Sequence, residues 1–237
     1  MKIEIWSDIM CPFCYIGKRR LEAALEEFPH KDKVQVEWKS FLLNPEMKTE
    51  PDKSISQYLA ETKGWSLEQA EEAGEQVAAM AKEEGLDYDF SKVVVANARK
   101  AHRLLQFAKI NGKGDTLKER LFHAYFTEGA NMDDQPTLIK LAHEVGLEEE
   151  KAKAAMQSAD LDAAVNHDIY ESQQLGVRGV PFFVLDQKYG VSGAQAKETF
   201  SQALDTAWKA YEAERAPLKS VEGTETGSAC DIEGNCD

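Results

Sequence analysis

Polar–apolar alternation, the mark of a half-buried strand, is confined to the two ends of this 237-residue chain. Lys2 to Trp6 alternates, as does Val34 to Phe41. The pattern returns only at Pro181 to Leu185 and Tyr189 to Ser192, with Asp186 to Lys188 as a short turn. Between these ends the sequence reads as helices over Ser54–Lys63, Ser66–Glu84, Ser91–Ile110, Asp115–Glu128, Gln135–Val145, Glu148–Ser158 and Leu161–Leu175. Several begin at a Ser or Asp cap, and glycines at 64, 85, 112, 114, 129 and 146 separate them. One more helix follows the first strand, with Ile16, Leu21, Leu25 and Phe28 at helical spacing, Pro12 suited to its first position and Pro29 closing it. A last one runs from about Ala196 to Arg215. The order is therefore β-α-β with parallel strands, a helical block of roughly 120 residues, then β-β-α. It divides the chain into a discontinuous unit (1–50 and 177–216), an inserted helical domain (51–176) and a polar tail (217–237) without periodicity, expected to be flexible.

Charge narrows the partners. Lysines and arginines number 28 against 42 acidic residues, a net charge of −14. That field repels phosphate backbones and anionic lipid surfaces, so neither nucleic acid nor a membrane is an expected partner. No apolar run reaches the roughly 18–20 residues of a spanning helix. The opening Met-Lys-Ile-Glu-Ile lacks a signal-peptide pattern, which gives the expectation of a cytoplasmic protein.

The four cysteines form two close pairs, Cys11/Cys14 and Cys230/Cys236, a distribution suited to redox chemistry or metal binding rather than to a structural disulfide framework. Cys11-Pro12-Phe13-Cys14 sits where the first strand meets the first helix. Three positions apart, the two sulfurs lie on neighbouring helix faces and can meet. At the helix start, backbone N–H groups and the helix dipole favour a thiolate on Cys11, the form that attacks a disulfide; Cys14 would be more enclosed and would resolve. Zinc is the competing use, but His30, His102, His123, His143 and His167 are scattered and make no ligand pair, so neither a metal nor another cofactor is expected. Asp8 fits a turn or helix cap, with proton relay for Cys14 as the alternative. Lys18, Arg19 and Arg20 read as a mostly solvated face.

Near the other end, Gly176-Val177-Arg178-Gly179-Val180-Pro181-Phe182-Phe183 places a proline just before an apolar strand. A proline there reads either as a plain edge residue or, in a thioredoxin-like fold, as a cis X-Pro bond that faces the active cysteines and turns the Val180 backbone toward substrate like an added strand.

These segments resemble the DsbA family of thioredoxin-fold oxidoreductases, most closely its FrnE-like branch. The resemblance is carried by Ser7-Asp8, by Cys11 through Arg20, by Asn97–Leu104 and Phe122–Phe126, by Gly176–Phe183 and by Tyr189–Gln195. It extends to about residue 215, with Phe13 standing where branch members often have Trp. It implies an α/β thioredoxin-like fold with a large all-helical insertion, thiol–disulfide exchange at Cys11 and Cys14, a cis Pro181 and substrate contacts at Val180 and Pro181. Pro12, Phe13, Asp8 and Asn97 are possible supporting residues, Asn97 being equally readable as the polar face of a helix. Cys230 and Cys236 enclose five residues and resemble a second redox pair of the branch, a candidate relay to the first; a passive tail disulfide or weak metal clip is the alternative. Expected partners are protein thiols or disulfides, with glutathione or another small thiol as a further candidate. The competing function is a glutathione-transferase or isomerase-like enzyme of the same fold, whose members typically carry serine in place of the cysteine pair.

Overall fold

The computed structural model describes residues 1–215, so the tail with Cys230 and Cys236 lies outside the described residues. The two ends of the chain form one four-stranded sheet. Strand β1 (Lys2–Ser7) leads into α1 (Pro12–Glu27) and returns as β2 (Gln35–Ser40), parallel to β1. On its other edge β1 pairs antiparallel with β5 (Phe182–Leu185), which turns into β6 (Tyr189–Ser192). The sheet order is β2-β1-β5-β6. Asp186 and Gln187 both have positive φ, 51° and 56°, as the central residues of a type I′ turn do, and the Lys188 N–H closes that turn on the Leu185 carbonyl at 3.1 Å. The final helix α9 (Lys197–Glu214) packs beside α1, and Phe200, Leu204 and Trp208 fill one face of the sheet with Ile3, Ile5 and Phe183. This is the thioredoxin-like α/β arrangement with helices inserted between β2 and β5.

The inserted segment carries α2 (Ile55–Lys63), α3 (Leu67–Glu83), α4 (Arg99–Ile110), α5 (Gly114–His123), α6 (Gln135–Glu144), α7 (Glu149–Ala155) and α8 (Ala159–Gln174). Ser54 and Ser66 open α2 and α3 with reciprocal capping boxes to Gln57 and Gln69. After α5 the chain continues through one π-helical turn, Ala124–Glu128. Two short strands also occur in this region: β3 (Glu50–Ser54) pairs antiparallel with β4 (Val94–Val95). The expected helix from Ser91 to Ile110 therefore begins only at Arg99. The β-branched run Val93-Val94-Val95 is drawn into a ladder with a segment some 40 residues upstream, a contact local periodicity does not register.

The helical layer and the active-site end of α1 share one core. Ile9, Cys11, Cys14, Tyr15 and Ile16 pack with Leu104, Leu121, Phe122 and Phe126. On the neighbouring side, α8 docks on β2 through buried Asp168. Its carboxylate accepts from the Ser40 N–H (2.8 Å) and the Gln106 amide (2.5 Å), and its carbonyl accepts from the Trp6 indole (2.7 Å). No helix among the described residues is long and apolar enough to cross a membrane.

Candidate active site

Cys11 is the N-cap of α1, in extended conformation, and Pro12 takes the first helical position, where an N–H would have no intrahelical partner. The first turn holds no acidic side chain, so its N–H groups face the cysteines without a competing carboxylate. The Cys14 N–H donates to the Cys11 carbonyl (3.0 Å), and the Tyr88 hydroxyl donates to the Pro12 carbonyl (2.8 Å), fixing the turn that holds the pair. Both cysteines are free thiols; Cys14 is fully enclosed, whereas Phe13 between them is 40% exposed.

The Val180–Pro181 peptide bond is cis. Across it, Cys11 Sγ donates to the Val180 carbonyl at 3.3 Å, joining two segments 169 residues apart. The Gly193 N–H holds the Pro181 carbonyl at 2.8 Å, and Arg20 donates to the Ala194 carbonyl at 2.8 Å while pairing with Glu84. The Ser192–Gln195 loop thus braces the proline segment from behind. Gly193, with φ of 79°, takes a backbone conformation glycine adopts without strain.

In the dithiol, a hydrogen bond with Cys14 and burial hold the Cys11 thiol well above its ordinary range; the backbone amide of Cys14 pulls the other way and is outweighed. The helix start thus acts in the direction the sequence suggests, and two sulfurs buried side by side resist being ionised together.

Asp8 is buried and does not cap α1, which has no side-chain cap. Its Oδ1 accepts from the Met10 N–H (3.2 Å) in a turn and from Nε2 of His102 (3.2 Å), and its Oδ2 accepts from the Leu43 N–H (2.8 Å). Burial raises the Asp8 carboxyl, but the hydrogen bond and charge of His102 outweigh it and leave the group below its ordinary value. Burial likewise pushes His102 below its usual value despite Asp8. The ring's geometry agrees: protonation would add an N–H at Nδ1, which has no acceptor among the described residues.

Asn97 stands just ahead of α4 rather than on a helix face. Its amide donates to the Met47 carbonyl (2.8 Å), its Oδ1 accepts from the Arg99 N–H (2.9 Å), and its bonds tie the 45–49 loop to the helix. Lys18, Arg19 and Arg20 do not form a solvated face. Lys18 is buried against Glu22, Glu119 and Asp115, and Arg19 pairs with Glu119 beside the Tyr15 hydroxyl. Sequence reasoning missed His102 and Lys118, both buried, the one bonded to Asp8 and the other to the Ser7 carbonyl just ahead of the cysteines. Each is a polar residue on a buried helix stripe, His102 one turn before Leu105 and Gln106 in α4, and Lys118 one turn before Leu121 and Phe122 in α5. Among the described residues, no cluster of three or more His, Cys, Asp or Glu could hold a metal ion.

The family model described as a DSBA-like thioredoxin domain matches residues 2–205. The uncharacterized protein YwbO of Bacillus subtilis is 30% identical over 209 residues, covering 85% of this chain and 94% of YwbO. The crystal structure of SCO1869 from Streptomyces coelicolor, described as a probable DsbA oxidoreductase, superposes with a TM-score of 0.84 at 39% identity, covering 100% of this chain and 98% of that one. The cytosolic disulfide reductase DsbM of Pseudomonas aeruginosa, solved with GSH, shares the fold at 21% identity and a TM-score of 0.56, covering 92% of this chain and 100% of DsbM.

Proposed function

The chain belongs to the DsbA-like thioredoxin-domain family, and from that membership we propose that it catalyses thiol–disulfide exchange on protein substrates, with Cys11 attacking and Cys14 resolving. The observation that carries this reading is the position of Cys11. Cys11 occupies the N-cap position of the first helix, its sulfur lies 3.3 Å from the Val180 carbonyl, and Cys14 is enclosed one turn further in.

A substrate segment laid along Val180 as an added strand would present its sulfur to Cys11. The Cys11 thiolate attacks one sulfur of a substrate disulfide, and the other leaves as a thiolate. Cys14 then attacks Cys11 in the mixed disulfide and releases the second substrate thiolate. Two electrons pass from the pair to the substrate, and the reverse sequence oxidises a dithiol. Net direction depends on the relative stability of dithiol and disulfide, about 30 mV for each 1.4 kcal/mol. A small thiol such as glutathione is a second candidate partner, in keeping with the GSH-bound relative of the same fold. The reading also assigns the protein to the cytoplasm and assigns Cys230/Cys236 an electron-relay role with the Cys11/Cys14 pair.

The test uses the full chain in a disulfide-reduction assay on insulin, with mass spectrometry of trapped species. Cys14→Ser should accumulate a mixed disulfide through Cys11, and Cys11→Ser should form none. A Cys11-to-tail disulfide in Cys14→Ser under limiting oxidant supports the relay. If no Cys11–Cys14 disulfide forms at any glutathione poise, while glutathione-dependent turnover of a small electrophile persists, the transferase or isomerase reading replaces this one.

A further inference from the structure

Among the described residues three lysines are buried, and two of them are neutralised by carboxylates. Lys18 meets Glu22, Glu119 and Asp115; Lys39 meets Asp168, Glu171, Glu4 and Glu37. Lys118 is different. It is 1% exposed, yet among the described residues no carboxylate lies within ion-pair distance of its Nζ. Its hydrogen bond is a long one, 3.4 Å to the Ser7 carbonyl. The ammonium otherwise rests over aromatic faces, 4.7 Å from the Phe122 centroid and 5.5 Å from that of Trp38. Two rings and one distant carbonyl are a poor replacement for water around a full positive charge.

The groups that can compensate it are on neighbouring elements: Phe122, the ring beneath its ammonium, packs in one buried cluster with Cys11 and Cys14, and its acceptor Ser7 adjoins buried Asp8. After burial, which lowers its pKa, the charges acting on Lys118 are the Cys14 sulfur, then the Asp8 carboxylate, then the Cys11 sulfur. From α4 the His102 ring also faces it, kept neutral by its own burial; β2 and α5 present only the aromatic rings. The Asp8 carboxylate already accepts from two backbone N–H groups and His102. The anion that comes and goes is the active-site thiolate.

We propose that the Lys118 ammonium is the buried counter-charge of the Cys11–Cys14 thiolate, and that Lys118 gives up a proton when the pair closes into a disulfide. The inference rests on the exchange reading above. The step balances: one thiolate, one thiol and the ammonium react with a substrate disulfide to give the Cys11–Cys14 bond, two substrate thiols and a neutral amine. Two electrons go to the substrate, and its two protons come from the remaining cysteine thiol and from Lys118. The buried charge of thiolate plus lysine is zero on both sides. Consistently, burial brings Lys118 down to about 8 in the dithiol. Loss of the thiolate on oxidation removes an attraction that had been holding the proton on.

The test follows Lys118 in the full chain by NMR of its side-chain amine, in the dithiol and in the oxidised form. The expected result is a titration lower by roughly one pH unit or more in the oxidised form, the low end of the shift an adjacent opposite charge produces. Coincident titrations would overturn the proposal. Independently, thiolate absorbance near 240 nm in Lys118→Met should titrate about one unit or more higher than in wild type, and Lys118→Arg should restore the lower value. Superimposable curves in a folded Lys118→Met would count against the proposal. If that variant fails to fold, the wild-type NMR comparison decides alone. A wild-type chain whose alkylated mass shows no Cys11–Cys14 disulfide under oxidant removes the exchange reading itself, and this inference with it.

Discussion

A side chain on Gly17 would press on Pro181: an added Cβ would lie 3.1 Å from Pro181 Cγ and 3.2 Å from Phe183 Cζ. Helix α1, which presents the cysteines, and the segment that presents the Val180 carbonyl thus touch at the one α1 residue without a side chain. Such contacts are tighter than ordinary packing, so a methyl group must displace the proline segment or the helix. Gly17→Ala is expected to cost about 1–3 kcal/mol of stability. Gly17→Val should cost more and lower exchange activity at least tenfold, because the Cys11-to-Val180 geometry shifts with it. Urea midpoints together with insulin-reduction rates check this. A Gly17→Val protein with wild-type stability and rate would show that the contact has no role.

The Asp8–His102 pair sets a pH dependence of stability. Burial keeps His102 neutral in the folded chain, while the unfolded chain binds its proton below about pH 6.5. The sign follows: the unfolded state takes up more protons on acidification, so stability is complete above that pH and declines below it. The decline is at most about 1.4 kcal/mol per pH unit from this group. Asp8, also held below its ordinary value, acts in the same direction nearer pH 4. Urea unfolding at pH 7.5, 6 and 5 should show the first decline, and His102→Gln should flatten it. An unchanged slope in the variant would assign the acid sensitivity to other groups.

The sequence shows the site's two halves and hides what lies beneath them. Cys11 and Cys14 are legible because their spacing and their place between strand and helix are local facts, and the Val180–Pro181 junction stands out before its apolar strand. Asp8 reads as a turn or a cap because a short acidic residue before a helix usually is one; the turn forms at the Met10 N–H, but the cap does not, and its other partners, Leu43 and His102, lie 35 and 94 residues away. Lys18 looks solvated on an arginine- and lysine-rich turn until α5 supplies Glu119 and Asp115. The β3–β4 ladder fails for the same reason: Val94 and Val95 become a strand only because the 50–54 segment arrives beside them.

Asp168 joins the inserted helices to the sheet. Its carboxylate is buried against the Ser40 N–H, the Gln106 amide and Lys39, which lies 3.3 Å away. Replacing it with Ala leaves the Ser40 donor unpaired and removes one anion from around a buried ammonium. Losses of about 3–5 kcal/mol accompany removal of one partner from such a pair. Asp168→Ala should therefore unfold at much lower urea than wild type, and Asp168→Asn, which keeps an acceptor, should fall between the two. A change below about 0.5 kcal/mol in both, the ordinary range of surface substitutions, would mean that α8 docks without this carboxylate.

Under the proposed exchange on protein substrates, Phe13 would serve recognition rather than folding. It lies between the cysteines and is 40% exposed, whereas Tyr15, two residues on, is buried in the aromatic cluster with Phe122. Truncating an exposed ring leaves little cavity, so Phe13→Ser should change stability by no more than about 0.5 kcal/mol. The same ring gives a peptide an apolar surface next to the attacking sulfur, and its loss should raise KM for a disulfide-bonded peptide. With glutathione disulfide, which has no large apolar side chain to place there, the rise should be smaller. Steady-state kinetics on the two substrates read this as a ratio. Equal effects on both would indicate that Phe13 acts on the cysteines themselves, and a stability loss beyond about 1 kcal/mol would indicate that it belongs to the core.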